Sequence, residues 1–145
     1  MSAETAPAPD RLDDHRIART MFAEDVASRE LGITLDDLGP GYARTSMTVT
    51  PSMVNGHGIT HGGYVFMVAD TTFALACNSH DDAAVAARAD IRFLRATHEG
   101  DVLVAEAVER QRFGRNGIYD VTVKRGDDVI AEFRGDSRTI PAARH

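Results

Sequence analysis

Between Gly62 and Cys77 almost every residue is apolar or small, and the one charge among them is Asp70. Tyr64, Val65, Phe66, Met67, Val68 and Ala69 precede it, and Phe73, Ala74, Leu75 and Ala76 follow. A helix that is apolar on every side is normally wrapped by protein on every side. A carboxylate under such a cover costs several kcal/mol without a partner, or takes up a proton. Asp70 is therefore either held by a threonine or a backbone donor, or kept for chemistry.

The residues leading into the run sharpen the second reading. Asn55, Gly56, His57, Gly58, Thr60, His61, Gly62 and Gly63 form a glycine-rich polar loop that breaks into the apolar stretch, which marks a helix N-terminus. Backbone N–H groups without intrahelical acceptors gather there, together with a partial positive charge, and glycine lets a ligand come close. An anion cradle followed by a buried carboxylate outlines an acyl-transfer or hydrolysis site.

The motif N-G-H-G-x-x-H-G-G-x-x-F at 55–66, followed by Ala69-Asp70 and Ala76-Cys77-Asn78, resembles the hotdog-fold acyl-CoA thioesterases of the phenylacetic acid degradation (PaaI-type) family. The likeness continues in Ile91-Arg92-Phe93-Leu94-Arg95, Gly100-Asp101, the stretch at 114–121 and Phe133-Arg134-Gly135, after which this chain carries Asp136 where a basic residue is expected. The resemblance implies an α+β hotdog fold: a long central helix wrapped by a curved antiparallel sheet of five or six strands, with an N-terminal helical segment. It also implies hydrolysis of a small acyl-CoA, phenylacetyl or hydroxyphenylacetyl among the choices, by a homodimer with shared sites that pairs into a homotetramer. A hotdog acyl-CoA hydratase and a non-catalytic acyl-CoA-binding protein are the alternatives.

Composition narrows the class. The 145 residues are 43% apolar and 26% charged, which fits one soluble globular domain. Sixteen basic against 22 acidic residues give a net charge of −6, which argues against nucleic acid as a partner. No apolar run is long enough to cross a membrane and no secretory signal opens the chain. The single cysteine, Cys77, excludes an internal disulfide and accords with a cytoplasmic setting.

In chain order, residues 1–9 read as a mobile tail, 10–140 as the hotdog domain and 141–145 as a frayed end. Residues 10–31 have apolar positions at helical spacing, with Asp10 as N-cap and Gly32 as stop, and read as one helix or two short ones with a packing role. Residues 33–40 read as a turn-rich link, and 42–50 as the first strand. After the helix the chain turns wholly β at 83–94, 102–112, 118–125 and 129–138. Turn signals between these segments suggest a meander with the helix across its face.

Asp70 is the expected catalytic group, as nucleophile or as general base for water, and the resemblance favours that role over a structural one. The Gly63 N–H, with Gly62, is the expected oxyanion donor. His61 and Asn55 flank it, and the resemblance assigns them to the active-site loop, although His61 alone would equally well cap the helix. Phe66 and Thr71 lie beside Asp70 as expected substrate-binding residues. Arg115, with Asn116 and Gly117, sits on a glycine-bounded turn suited to phosphate or pantetheine. His57 and His61 lack the intervening Glu of a zinc-hydrolase helix, so no metal is expected, and no cofactor either, coenzyme A being part of the substrate and a product. Cys77, without a basic neighbour, reads as inert core. Gly63 and Asp70 lie two turns apart, roughly 10 Å along the axis, so one carbonyl reaches both only if they come from two chains related by a two-fold axis.

Overall fold

The computed structural model describes residues 14–141. Two short helices, α1 (Arg16–Ala23) and α2 (Val26–Glu30), come first, then strands β1 (Thr34–Gly39) and β2 (Tyr42–Thr48). A 3₁₀ turn (Pro51–Met53) and the glycine loop lead into α3 (Gly62–Cys77), followed by β3 (Ala84–Phe93), β4 (Val102–Phe113), β5 (Asn116–Arg125) and β6 (Asp128–Thr139). All six strands join one antiparallel sheet in the order β1-β2-β4-β5-β6-β3. The sheet bears α3 on one face, the helix-in-sheet arrangement that the hotdog resemblance implies.

Two readings of the sequence change. The segment at 33–40 is not a link but the edge strand β1, paired with β2 from Thr34↔Ser46 to Gly39↔Tyr42. Its Asp36-Asp37 pair reads as a turn, yet an edge strand tolerates exposed acids, and a register shift between Leu35 and Asp37 absorbs them. The strands after α3 are not a simple meander. β4, β5 and β6 are, because the two-residue turns Gly114-Arg115 and Gly126-Asp127 force adjacency, each glycine taking the left-handed conformation at the first turn position (φ +60° and +61°). The longer connection at 94–101 frees β3, which pairs with β6 at the far edge while β4 returns beside β2. The sheet and the N-terminal helices leave part of α3 uncovered. Gly63 is exposed and Met67, Asp70 and Ala74 are half-buried, a stripe at helical spacing left uncovered. The N-cap expected at Asp10 and the tail at 1–9 lie outside the described residues, as do 142–145.

The core explains why the helix sits where it does. Alternate residues of β4 and β5 point inward, small ones (Ala105, Ala107) alongside large ones (Leu103, Tyr119, Val121, Val123), all essentially inaccessible. Phe73 of α3 packs edge-to-face on Tyr119 at 5.7 Å and against Phe133, contacts worth about 0.5–1.5 kcal/mol each beyond burial. A polar pin adds register: buried Thr72 donates to the Val68 carbonyl at 2.6 Å and meets Thr45 of β2 at 2.7 Å. Opposite Phe73 the sheet carries Gly135, where an added Cβ would lie 2.7–2.8 Å from three ring atoms. Gly135→Ala is therefore expected to destabilise the fold by about 1–3 kcal/mol through overpacking, read as a lower denaturant midpoint with an unchanged m-value.

Candidate active site

The loop before α3 is built by its own side chains. Asn55 Oδ1 accepts from the N–H groups of His57 (2.9 Å) and Ile59 (3.3 Å), closing a turn in which Gly58 adopts φ +79°. Thr60 is tied to Thr97 twice, N–H to carbonyl at 2.8 Å and hydroxyl to hydroxyl at 2.6 Å, which fastens the loop to the segment after β3. His61 is the N-cap of α3: its backbone N–H donates to the Met53 carbonyl at 2.7 Å, and its ring Nδ1 accepts the Gly63 N–H at 3.0 Å. A ring that accepts at Nδ1 carries its proton on Nε2, toward solvent.

This bond bears on the oxyanion assignment. The Gly63 N–H is engaged by His61, whose exposed ring must turn aside before that donor can serve a ligand. Gly62, at the first helical position, has no intrahelical acceptor for its N–H and lines a cavity of about 340 Å³ together with Asn55. Gly63 instead lines a second cavity of about 360 Å³ with Leu31, Tyr64 and Met67. The glycine pair thus separates two hollows at one helix end.

Asp70 stands two turns farther on, in the uncovered stripe. Among the described residues no donor and no cation reaches its carboxylate. Burial pushes its pKa up, and the negative charge of Asp25 pushes it further. Asp25 is the N-cap of α2, accepting from the Ser28 N–H (3.0 Å) and hydroxyl (2.6 Å), and the Ser28 hydroxyl meets Thr71 Oγ1 at 2.7 Å. Thr71 is buried and spends its hydroxyl there. Phe66 stacks edge-to-face on Phe133 at 5.3 Å. Cys77 is buried, and burial together with the charge of Asp70 pushes its thiol up to about 12, which leaves it un-ionised and unreactive near neutral pH.

Asn55, His61, Gly62 and Gly63 are therefore together at the α3 N-terminus, and Asp70 lies on the same helix. Arg115, Asn116 and Gly117 do not join them within one chain. They surround Cys77 and His80 at the other end of α3, roughly 20 Å away by helix rise. The backbones of Asn116 and Gly117 belong to the β4–β5–β6 ladder, and the Arg115 carbonyl accepts from the Thr139 N–H. Sequence reasoning missed Asp25, since the stretch at 10–31 shows only a packing periodicity, and its approach to Asp70 depends on how α2 docks on α3.

With this geometry in view, the relatives are informative. Residues 57–132 match the Thioesterase superfamily. The chain belongs to that superfamily. It is 43% identical over 124 residues to the acyl-coenzyme A thioesterase PaaI of Escherichia coli (strain K12), an alignment that covers 85% of this chain and 89% of that one. The solved structure of the E. coli PaaI protein from the phenylacetic acid degradation operon superposes with a TM-score of 0.84 at 41% identity, over 87% of this chain and 92% of that one. A point mutant of the phenylacetic acid degradation protein PaaI from Thermus thermophilus matches at TM-score 0.78 and 31% identity, over 80% of this chain and 100% of that one. The superfamily fold is the hotdog, and the six-stranded sheet around α3 is this member's version of it.

The electrostatics around Asp70 lead to a pH test. If Asp70 is the base or nucleophile that the sequence leads one to expect, it works ionised, and activity rises with pH through its raised pKa. Asp25→Asn keeps the helix cap but removes one of the two upward pushes. The acid limb of the kcat/KM profile should move to lower pH while staying above the ordinary carboxylate range, because burial remains. An unmoved limb would show that Asp25 does not act on Asp70.

Proposed function

We propose that this chain is an acyl-CoA thioesterase that hydrolyses small acyl-CoA esters, with phenylacetyl- and hydroxyphenylacetyl-CoA as first choices, and that Asp70 performs the chemistry. The observation that carries this reading is a lone carboxylate in an apolar helix with a raised pKa and, among the described residues, no donor of its own. A purely structural Asp would have acquired a partner. The 43% identity to the E. coli acyl-coenzyme A thioesterase and the phenylacetic acid degradation proteins among the structural relatives support the substrate class.

In this reading the thioester carbonyl oxygen sits at the glycine pair that opens α3. Gly62, which lines the Asn55 cavity, offers one N–H, and the Gly63 N–H joins it when the His61 ring turns aside. These donors take up the negative charge that develops on the oxygen, one such N–H being worth ~10²–10³ in rate. Asp70 either attacks the carbonyl carbon, releasing coenzyme A thiolate and leaving a mixed anhydride that water opens, or removes a proton from the water that attacks. Either route yields the free acid and coenzyme A, with no metal or redox cofactor. Phe66 and Thr71 contribute through the core beside Asp70. A cytoplasmic setting suits this chemistry, and among the described residues no helix is long and apolar enough to cross a membrane.

The site belongs to a homodimer in this reading. Gly63 and Asp70 of one chain are roughly 10 Å apart along the axis, so a two-fold axis that lays a second α3 alongside supplies Asp70 from one subunit to the glycine pair, His61 and Asn55 of the other. Two features support this. The stripe of Gly63, Met67, Asp70 and Ala74 lacks a cover, and β3 is an edge strand whose outer side has no partner strand, with Val85 and Phe93 about half exposed. The Arg115 turn and the 55–63 loop, far apart in one chain, come nearer when the helices run side by side in opposite directions. Pairing of two dimers into a tetramer completes the proposed assembly.

Asp70→Asn is expected to lower turnover by several orders of magnitude while acyl-CoA binding survives. Because the carboxyl pKa is raised in the folded chain, the ionised group costs stability above that pKa, and the cost vanishes below the ordinary carboxylate range, where both states are protonated. Asp70→Asn should therefore be at least as stable as the parent at neutral pH, with the gain lost in acid. Near-normal turnover of the variant on its best substrate removes the assignment.

Sharing is tested by complementation. Inactive Asp70→Ala subunits mixed with inactive Asn55→Ala/His61→Ala subunits should recover up to about a quarter of parental activity, since half of randomly formed dimers are mixed and each holds one intact site. A mixture that stays inactive although mixed dimers are shown to form by mass spectrometry places each site within one chain.

A further inference from the structure

A chain of two buried hydroxyls joins the N-terminal helices to α3 beside Asp70. Ser28 of α2 is inaccessible to solvent, and Thr71, the residue after Asp70, is nearly so. Ser28 Oγ donates to Asp25 Oδ2 at 2.6 Å and meets Thr71 Oγ1 at 2.7 Å, while the Ser28 N–H donates to Asp25 Oδ1 at 3.0 Å. Resting on the thioesterase reading above, we propose that Ser28 is a positioning residue for hydrolysis. Its hydroxyl holds the Asp25 carboxylate beside Asp70, so that the negative charge of one acid acts on the other.

The direction of the chain follows from its protons. A hydroxyl has one proton and a carboxylate has none to give, so the Ser28 proton points to Asp25 and the Ser28 oxygen accepts from Thr71. The chain Thr71 to Ser28 to Asp25 therefore ends on the negative charge, an arrangement in which each bond strengthens the next. Asp25 is half-buried at the corner between α1 and α2. Without the Ser28 hydroxyl its carboxylate keeps, among the described residues, only the bond from the Ser28 N–H, and it is free to turn toward water, where its charge is screened.

The other groups around α3 do not duplicate this charge. On the helix of Asp70 the titratable neighbour is the un-ionised Cys77 thiol. The sheet turns Thr45 and the Tyr119 phenol toward α3, and the phenol donates to Glu109. From α1, Arg19 donates to the Asp14 carbonyl. In the proposed dimer His61 of the second subunit faces Asp70 as well, and does so equally in every variant below. The backbone of α2 is anchored apart from the hydroxyl, because the Ser28 carbonyl accepts the N–H groups of Leu31 (3.2 Å) and Ile33 (3.1 Å). Truncating the Ser28 side chain therefore tests the hydroxyl chain and leaves the course of the backbone in place.

The experiment records pH profiles of kcat/KM on phenylacetyl-CoA for the parent chain, Ser28→Ala, Ser28→Cys, Asp25→Asn and the double variant Asp25→Asn/Ser28→Ala, and follows the Asp70 carboxyl directly by carbon NMR titration. Ser28→Ala should move both the acid limb and the Asp70 titration to lower pH, less far than Asp25→Asn does, because the Ser28 N–H still holds Asp25. Ser28→Cys, a weak donor of similar volume, should fall between Ser28→Ala and the parent, and it replaces Ser28→Ala throughout if that variant does not fold. In the Asp25→Asn background the Ser28 substitution should add no further shift, since its effect runs through Asp25. The proposal is overturned if the Ser28 variant titrates as the parent does or at higher pH, whatever its loss of stability. It is equally overturned if the shift is as large in the Asp25→Asn background as in the parent, because the effect then runs through the released Thr71 hydroxyl. A chain whose Asp70 titration responds to Ser28 as expected but which hydrolyses no acyl-CoA removes the thioesterase reading and leaves the positioning of Asp25 standing.

Discussion

The fold depends on covering one apolar helix. α3 has no polar face to give to water, so its stability comes from what is laid against it, and a flat sheet covers too little of a cylinder. The sheet has to curve, and the helix has to come close. Both needs are met by small residues on the inner face: Ala43, Ala105 and Ala107 are inaccessible, and Gly135 admits the Phe73 ring. Large side chains at those positions would hold the helix off and open voids, at a cost set by the lost contacts.

The same constraint shapes the chemistry. Since α1, α2 and the sheet leave one stripe of α3 bare, the carboxylate of Asp70 is half-buried, and its pKa rises without the group being sealed from solvent. The α3 N-terminus has the opposite character, polar, glycine-rich and rigidly braced by Asn55 and Thr60. Free backbone donors and a half-buried carboxylate are thereby held on one rigid element. The distance between them is set by helix rise, roughly 10 Å along the axis.

Arg95 and Arg115 illustrate how position changes the weight of a residue type. Both are exposed arginines next to turns, and in the sequence Arg115 is the more conspicuous because glycines bound it. In space Arg115 stands beside the C-terminal end of α3, whereas Arg95 lines a cavity that reaches Gly62. The bond to the Val129 carbonyl that steadies Arg95 comes from β6, distant in sequence.

The sequence alone determined the elements governed by local physics: the apolar helix and its bounds, the glycine loop as a helix start, Asp70 as its anomalous charge, and the strands joined by two-residue glycine turns. These follow from periodicity, turn chemistry and the cost of burying charge, which act over a few residues. Only the tertiary structure decided the rest. Asp36 and Asp37 look like turn residues until β1 is seen as an edge strand. β3 looks like the start of a meander until it pairs with β6, because a long connection sets no neighbour. His61 becomes a cap on the Gly63 N–H, Thr71 a partner of Ser28, and Asp25 a charge acting on Asp70, each through a contact that the docking of helices and loops creates. Such contacts join residues whose separation along the chain carries no periodic signal, so they come into being only when the sheet closes around its helix.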